Sequence, residues 1–299
     1  MPIIIPKDLP AYKILNKEKI FVMDKDRAGK QDIRPIEIAI VNLMPTKEET
    51  ETQLVRLLSN SPLQVNITFI QTATYKPTHV SGDHMERFYR SLSDVKNQKF
   101  DGMIITGAPV ENMPFEQVVY WKELVEIFDF ADKNVTSTIY ICWGAQAALY
   151  YHFGIDKNPL PQKMFGIFPT KAVVEHDMLL KGMDDVFYVP NSRHTEADQR
   201  AIEECEKLKI LARSDEAGIA ILKTHDNKKF FFMGHSEYDR FTLKKEYERD
   251  INKGLKIDKP KNYFIGDSLE VNMSWRSTAN LLFYNWLNYY VYQVTPFVL

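Results

Sequence analysis

The 299-residue chain is 44% hydrophobic and 26% charged, enough apolar material for a sizeable core. Its 38 Lys and Arg stand against 40 Asp and Glu, a formal net charge of −2 without any basic tract, so it carries no electrostatic footprint for nucleic acid or an anionic membrane surface. No apolar run approaches a membrane span, and two cysteines, Cys142 and Cys205, make neither a disulfide framework nor a cysteine zinc site.

The opening Met1-Pro2-Ile3-Ile4-Ile5-Pro6-Lys7 has no charged segment ahead of a long apolar run, which reads as cytoplasmic. With no repeat or Ser/Gly linker, residues 1–299 are expected to form one domain, with residues 1–34 as an irregular arm packed on it. Ile36 to Val41 is short, apolar and β-branched, the signature of a buried strand. Thr46 and Glu49 form a capping-box pattern, and Leu54, Leu57 and Leu58 mark the buried face of the helix that follows. Val65 to Ile70 predicts the next strand, and His84 to Leu92 a helix. Gly102 to Ile105 predicts a strand ending at Thr106-Gly107-Ala108-Pro109, with a helix from Trp121 to Phe130. Thr138 to Ile141 runs as a strand into Cys142 and an Ala-rich helix, Ala145 to Tyr151, and Lys229 to Met233 leads to Gly234-His235. The aromatic stretch from Phe283 to Tyr292 suits a core or interface helix. Strand and helix in alternation give an α/β fold, a mostly parallel sheet with helices on both faces. Ligands of such sheets bind beyond the carboxyl ends of the strands, where the loops after Ile105, at Cys142 and at His235 converge.

A lone cysteine is most often a packing residue. Cys142, however, sits at a strand-to-helix turn, where the helix dipole favours thiolate and backbone N–H groups are available to an oxyanion. In His235-Ser236-Glu237, a continuing strand would point His235 and Glu237 to one side, so that the carboxylate fixes the imidazole tautomer while the other ring nitrogen handles the thiol proton. Cys142, His235 and Glu237 are therefore the expected catalytic triad. The remaining histidines, His79, His84, His152, His176, His194 and His225, have no metal-ligand spacing, so no metal is expected. No phosphate-binding glycine motif is present.

Gly107-Ala108-Pro109, Cys142-Trp143-Gly144 and His235-Ser236-Glu237 together resemble the class I glutamine amidotransferase fold. Closer still, Ile40 to Lys47, Asn191-Ser192-Arg193-His194-Thr195 and Gly234 to Asp239 resemble the homoserine O-acyltransferases of the MetA type, almost end to end. Amidotransferases usually carry glycine two residues before the nucleophile; this chain has Tyr140, which fits the acyltransferase branch. The resemblance implies methionine biosynthesis, a homodimer in the cytoplasm, and ping-pong transfer from an acyl-CoA co-substrate through an acyl-Cys142 to L-homoserine, with no bound cofactor. By position it implies Lys163, Ser192 and Arg249 as substrate-binding residues, Trp143 N–H as part of the oxyanion hole with a second donor from the Leu43 or Gly107 loop, and Lys47 against CoA phosphate.

The resemblance also ties Glu111 to the acyl donor: glutamate here accompanies acetyl-CoA, glycine succinyl-CoA. In a partly dry pocket, two carboxylates about 5 Å apart repel by roughly 3 kcal/mol at an effective dielectric near 20. Acetyl transfer from acetyl-CoA is therefore the expected reaction. The alternatives are succinyl transfer, the glutaminase subunit of an amidotransferase, and a non-enzymatic binding protein that retains the fold.

Overall fold

The amino-terminal segment folds into elements of its own where an irregular arm is expected. In the computed structural model, which describes residues 3–18, 20–30, 34–74 and 80–295, β1 (Ile3–Ile4) is followed by α1 (Pro10–Lys17), β2 (Val22–Met23) and α2 (Lys25–Ala28). Met1, Pro2 and His79, named above, lie outside the described residues. Pro10 opens α1 at a position where its missing N–H costs nothing, and Ala11 and Leu15, four apart, bury one face of the helix. The strands β1 and β2 span two residues each, too short to show a period.

The strands read from the sequence form the centre of the sheet. Next along the chain are β3 (Ile36–Val41), α3 (Lys47–Leu58), β4 (Val65–Ile70), α4 (Gly82–Phe88), β5 (Tyr89–Arg90), α5 (Leu92–Val95), β6 (Phe100–Ile105), α6 (Trp121–Asn134), β7 (Val135–Ile141) and α7 (Trp143–Phe153). The single helix expected from His84 to Leu92 is instead α4, a short strand and α5, because Tyr89 and Arg90 pair with Phe69 and Ile70. The carboxyl half adds β8 (Lys157–Ala172), β9 (Phe187–Ala197), α8 (Gln199–Glu204), β10 (Leu208–Ser214), β11 (Gly218–Thr224), β12 (Lys229–Phe232), α9 (Thr242–Asn252) and α10 (Arg276–Asn285), which continues as a π-helical stretch, Trp286–Tyr292.

Among the described residues these strands make one sheet in the order β2-β1-β4-β3-β6-β7-β12-β11-β10-β8-β9, with β5 beside β4. From β2 to β12 the neighbours are parallel; from β12 to β9 they are antiparallel. The pleat divides the core. Ile36, Ile38 and Ile40 face Leu54, Leu58, Phe283 and Trp286 on one side, while Ala39 and Val41 face Leu124, Phe128 and the alanines of α7 on the other. A smaller cluster of Phe165, Ile167, Tyr238, Leu243, Tyr263 and Trp275 seats α9 over the end of the sheet. Among the described residues no helix is long and apolar enough to cross a membrane.

Candidate active site

Because β3, β6, β7 and β12 run parallel in register, their carboxyl ends lie along one edge: Ile105 pairs with Tyr140, and Ile141 with Phe232. Cys142 follows β7 with φ 50° and ψ −115°, a sharp turn into α7 in a region that costs a non-glycine residue about 1–3 kcal/mol. The surroundings hold the turn in place: Cys142 N–H donates to Phe232 O at 2.8 Å, and Cys142 O accepts Gln146 N–H at 3.0 Å. Two residues on, a Cβ at Gly144 would lie 2.5 Å from Thr106 O and 3.0 Å from Ile105 O, so only glycine lets α7 start this close to β6. The strained turn puts the thiol over the first donors of a helix N-terminus, where Trp143 N–H has no intrahelical acceptor.

The loop after β6 forms the facing wall. Gly107 lies so close that a Cβ there would come 3.3 Å from His235 Cε1 and 3.4 Å from Cys142 Cβ. Leu43 N–H donates to Thr106 Oγ1 at 2.8 Å, which occupies one of the two donors considered for the oxyanion hole and leaves the Gly107 loop.

His235 is buried beyond the end of β12. The strand stops at Phe232, and the extended His-x-Glu arrangement expected from the sequence does not form. Instead a turn closed by Tyr238 N–H to His235 O at 3.2 Å carries Glu237 round to His235, whose Nδ1 lies 2.7 Å from Glu237 Oε1. A carboxylate only accepts, so Nδ1 carries a proton and Nε2 is left for Cys142. Burial disfavours the charged imidazolium, but the Cys142 and Glu237 charges and their hydrogen bonds outweigh it, and His235 is held well above its ordinary value. The ring stacks on Tyr238 at 4.2 Å and 18°, and His235 N–H donates to Pro190 O at 2.8 Å. A Cβ at Gly234 would meet Val189 Cγ1 at 2.5 Å, so glycine is again what permits the close pass, here against β9.

A cavity of about 570 Å³ opens above Cys142 and His235, walled by Lys163, Ser192 and Arg249 together with Glu111, His194, Tyr238 and Glu246. The three substrate-binding residues carried over by resemblance, and Glu111, therefore lie in one cavity with Cys142 and His235. Ser192 Oγ donates to Glu246 Oε2 at 2.5 Å, Tyr238 OH to Glu246 Oε1 at 2.9 Å, and Lys163 Nζ stands 3.7 Å from Glu246 and 3.1 Å from Asp250. Asp250 in turn accepts from Arg249 Nε at 2.8 Å. Burial pushes Asp250 upward, but hydrogen bonds from Arg249 and Lys163 prevail and hold its carboxyl below the usual range.

Two expectations at this edge are corrected. Lys47 does not face the cavity: it is buried, its Nζ donates to Asn42 O, and burial lowers it to about 8 against the pull of Glu51. The capping box at Thr46 is not made, because Glu49 reaches across to Lys245 of α9 at 2.9 Å.

Three residues escaped the sequence reading as site residues. Tyr238 supports the imidazole. Glu246 is the hub of the cavity's polar wall. Arg193 is buried, donating to Asn191 Oδ1 at 2.7 Å, Met233 O at 3.0 Å and Ala217 O at 2.7 Å, which ties β9 to the loop that carries His235. One signal was available: Thr242, Lys245, Glu246 and Arg249 recur at helical spacing, on one face of α9. Cys205 lies outside the site, just past α8.

A family model described as homoserine O-succinyltransferase matches residues 2–297. A homoserine O-acetyltransferase from Geobacillus sp. (strain WCH70) is 58% identical, covering 99% of this chain and 99% of its own. Another from Lachnoclostridium phytofermentans is 57% identical, with 100% of both chains covered. Among solved structures, a glutamine amido transferase from Methylobacillus flagellatus superposes with a TM-score of 0.55 over 86% of this chain and 95% of that one, at 13% identity, a likeness of fold alone.

Proposed function

The chain belongs to the homoserine O-succinyltransferase family, and we propose a course for its reaction in which the acyl group passes through Cys142. Its activity is homoserine O-acetylation, that of relatives 54–58% identical over the whole chain, which makes it a transferase of amino-acid biosynthesis with an acyl-CoA co-substrate. The glutaminase alternative has only the shared fold behind it.

The observation that carries the mechanism is the buried line Cys142–His235–Glu237 at the strained turn. The thiolate Sγ attacks the acetyl-CoA carbonyl carbon, and the oxyanion forms beside Trp143 N–H and the Gly107 loop. When the C–S bond to CoA breaks, the departing thiolate takes the proton from His235 Nε2. Acetylation removes the Cys142 charge, one of the influences that hold His235 high, so the neutral imidazole is then a base. It takes the hydroxyl proton of homoserine as that oxygen attacks the thioester, and the Cys142 thiolate leaves. Arg249, oriented by Asp250, suits the amino acid's carboxylate; Glu246, with Ser192 and Tyr238, suits its ammonium; Lys163 balances the acidic wall. Glu111 governs the acyl donor. We take residues 1–299 as one catalytic domain, working without a bound cofactor or metal as a homodimer in the cytoplasm.

Intact-mass measurement after mixing with acetyl-CoA tests this course. The wild type and Cys205→Ser should gain one acetyl group, and Cys142→Ala none while remaining folded. Glu246→Gln should acquire the acetyl group normally but lose it slowly to homoserine. Acetylation that persists in Cys142→Ala ends the acyl-cysteine mechanism; normal discharge in Glu246→Gln removes Glu246 from the homoserine site. Sedimentation of the purified protein tests the dimer.

A further inference from the structure

Glu111 does more than place a negative charge near the acyl group. Its Oε2 accepts the backbone N–H of His194 at 2.8 Å. In β9, Arg193 pairs with Met164 and Thr195 with Pro159, so His194 sits where the register shifts and the ladder is interrupted. Such an unpaired backbone donor takes whatever acceptor lies opposite. The charges around it favour an anion, since both the guanidinium of Arg193 and the ammonium of Lys157 interact with the Glu111 carboxylate. Lys157 Nζ also donates to the backbone oxygens of Glu111 and Met113, each at 2.6 Å, which fixes the loop that presents the side chain. Glu111 and His194 line the same cavity as Cys142.

Repulsion alone accounts poorly for selection here. Glu111 is half-buried and His194 is exposed, so water and salt screen a like-charge contact well below the value for a dry pocket. Occupancy of a donor is not screened in the same way.

We propose that the His194 N–H is a carboxylate-binding position for the far end of a dicarboxylic acyl group, filled in this chain by the Glu111 carboxylate. An acyl chain ending in a carboxylate is rejected because its partner is already taken, while acetyl, which does not reach that far, is unaffected. This rests on Glu111 governing the acyl donor, and extends that reading to a named donor atom.

The test compares kcat/KM for acetyl-CoA, succinyl-CoA and butyryl-CoA in the wild type, Glu111→Gln, Glu111→Ala and Glu111→Gly. Glutamine keeps an acceptor oxygen for His194 N–H but loses the charge; alanine and glycine vacate the donor. The succinyl-to-acetyl ratio should stay within about threefold of wild type in Glu111→Gln and rise roughly tenfold or more in Glu111→Ala and Glu111→Gly, the worth of one charge-assisted hydrogen bond. Butyryl-CoA, of the same chain length without the carboxylate, should gain far less. If Glu111→Gln rises as far as Glu111→Gly, the discrimination is charge repulsion and the proposal is overturned. If butyryl rises together with succinyl, the gain is space, and it is overturned again. A ratio unmoved in both Glu111→Ala and Glu111→Gly removes Glu111 itself from acyl-donor choice, a separate failure.

Discussion

At the scale of single residues, the site depends on two charges kept next to each other out of water. Glu237 Oε1 holds His235 Nδ1 at 2.7 Å, and its Oε2 is buried without a hydrogen-bond partner among the described residues, so the carboxylate charge is spent on the imidazole. A base titrating near neutrality is what an isolated histidine would provide, and the sequence alone suggests no more. In the fold the histidine is raised well above that, despite its burial. The consequence is a change in the pH profile. With acetyl-CoA varied, kcat/KM reports the free enzyme. It should hold a plateau through neutral pH and fall only in the alkaline range, as the imidazolium loses its proton. Glu237→Gln removes a charge that raises His235, so the alkaline fall should move to lower pH. A rate that climbs through about 6.5, the ordinary histidine value, or an alkaline limb unmoved by Glu237→Gln, contradicts the ion-pair assignment. Cys142 and His235 are legible in the sequence as candidates because each stands just past an apolar strand, whereas Glu237 is expected from a continuing strand and reaches His235 through a turn instead. Tyr238, Glu246 and Arg193 could not be read there, since their importance lies in what they touch: an imidazole face, a serine with a lysine, and three acceptors from β9 itself and two separate loops.

At the scale of elements, the parallel strands were legible and the long antiparallel hairpin was not. Central strands such as β3 and β7, buried on both faces, show as short apolar runs. β8 begins Lys157-Asn158-Pro159-Leu160-Pro161-Gln162-Lys163, polar, proline-broken and mostly exposed, so neither composition nor period marks it. Yet this hairpin delivers Lys163 and Ser192 to the cavity and His194 to Glu111. The joint between β7 and α7 is the element on which chemistry depends most. Gly144→Ala places a methyl 2.5 Å from Thr106 O, which is backbone and has no rotamer to give. Either α7 moves off β6, or the Cys142 turn relaxes; overpacking of this kind costs about 1–3 kcal/mol. The expected outcome is a lower urea midpoint together with a loss of Cys142 acetylation well beyond the loss of stability. A variant with wild-type acetylation rate would mean that the close approach is not what positions the thiol.

At the scale of the whole molecule, the sheet edge that carries chemistry is braced from beneath by the carboxyl-terminal helices. Trp286 fills the space above Gly102, where a Cβ would lie 2.7 Å from its ring, and its Nε1 donates to Ser137 Oγ of β7 at 2.9 Å. Asn285 holds Leu179 O and Lys181 O at 2.9 and 2.8 Å, and Tyr290 OH donates to Asp177 at 2.9 Å. The brace closes on a buried ion pair, Lys223 Nζ to Asp177 Oδ2 at 2.6 Å, with both side chains under a tenth exposed. This pair joins β11, the loop after β8 and the terminal helix, three parts far apart in sequence, which is why no local pattern announced it. Burial pushes Asp177 upward, but the Lys223 and Tyr290 hydrogen bonds prevail and its carboxyl is held below the usual range. A depressed carboxyl stabilises the fold above its unfolded value of about 3.9, and that stability is lost as pH falls through the folded value. Asp177→Ala leaves Lys223 buried without its countercharge and should cost roughly 3–5 kcal/mol in urea unfolding at neutral pH, with a flatter loss of stability on acidification. Asp177→Leu combined with Lys223→Met removes both charges and should recover most of that cost, with acetyl transfer at wild-type rate in the folded protein. A double variant no more stable than Asp177→Ala would mean that the pair does not bind the terminal helices to the sheet through its charge.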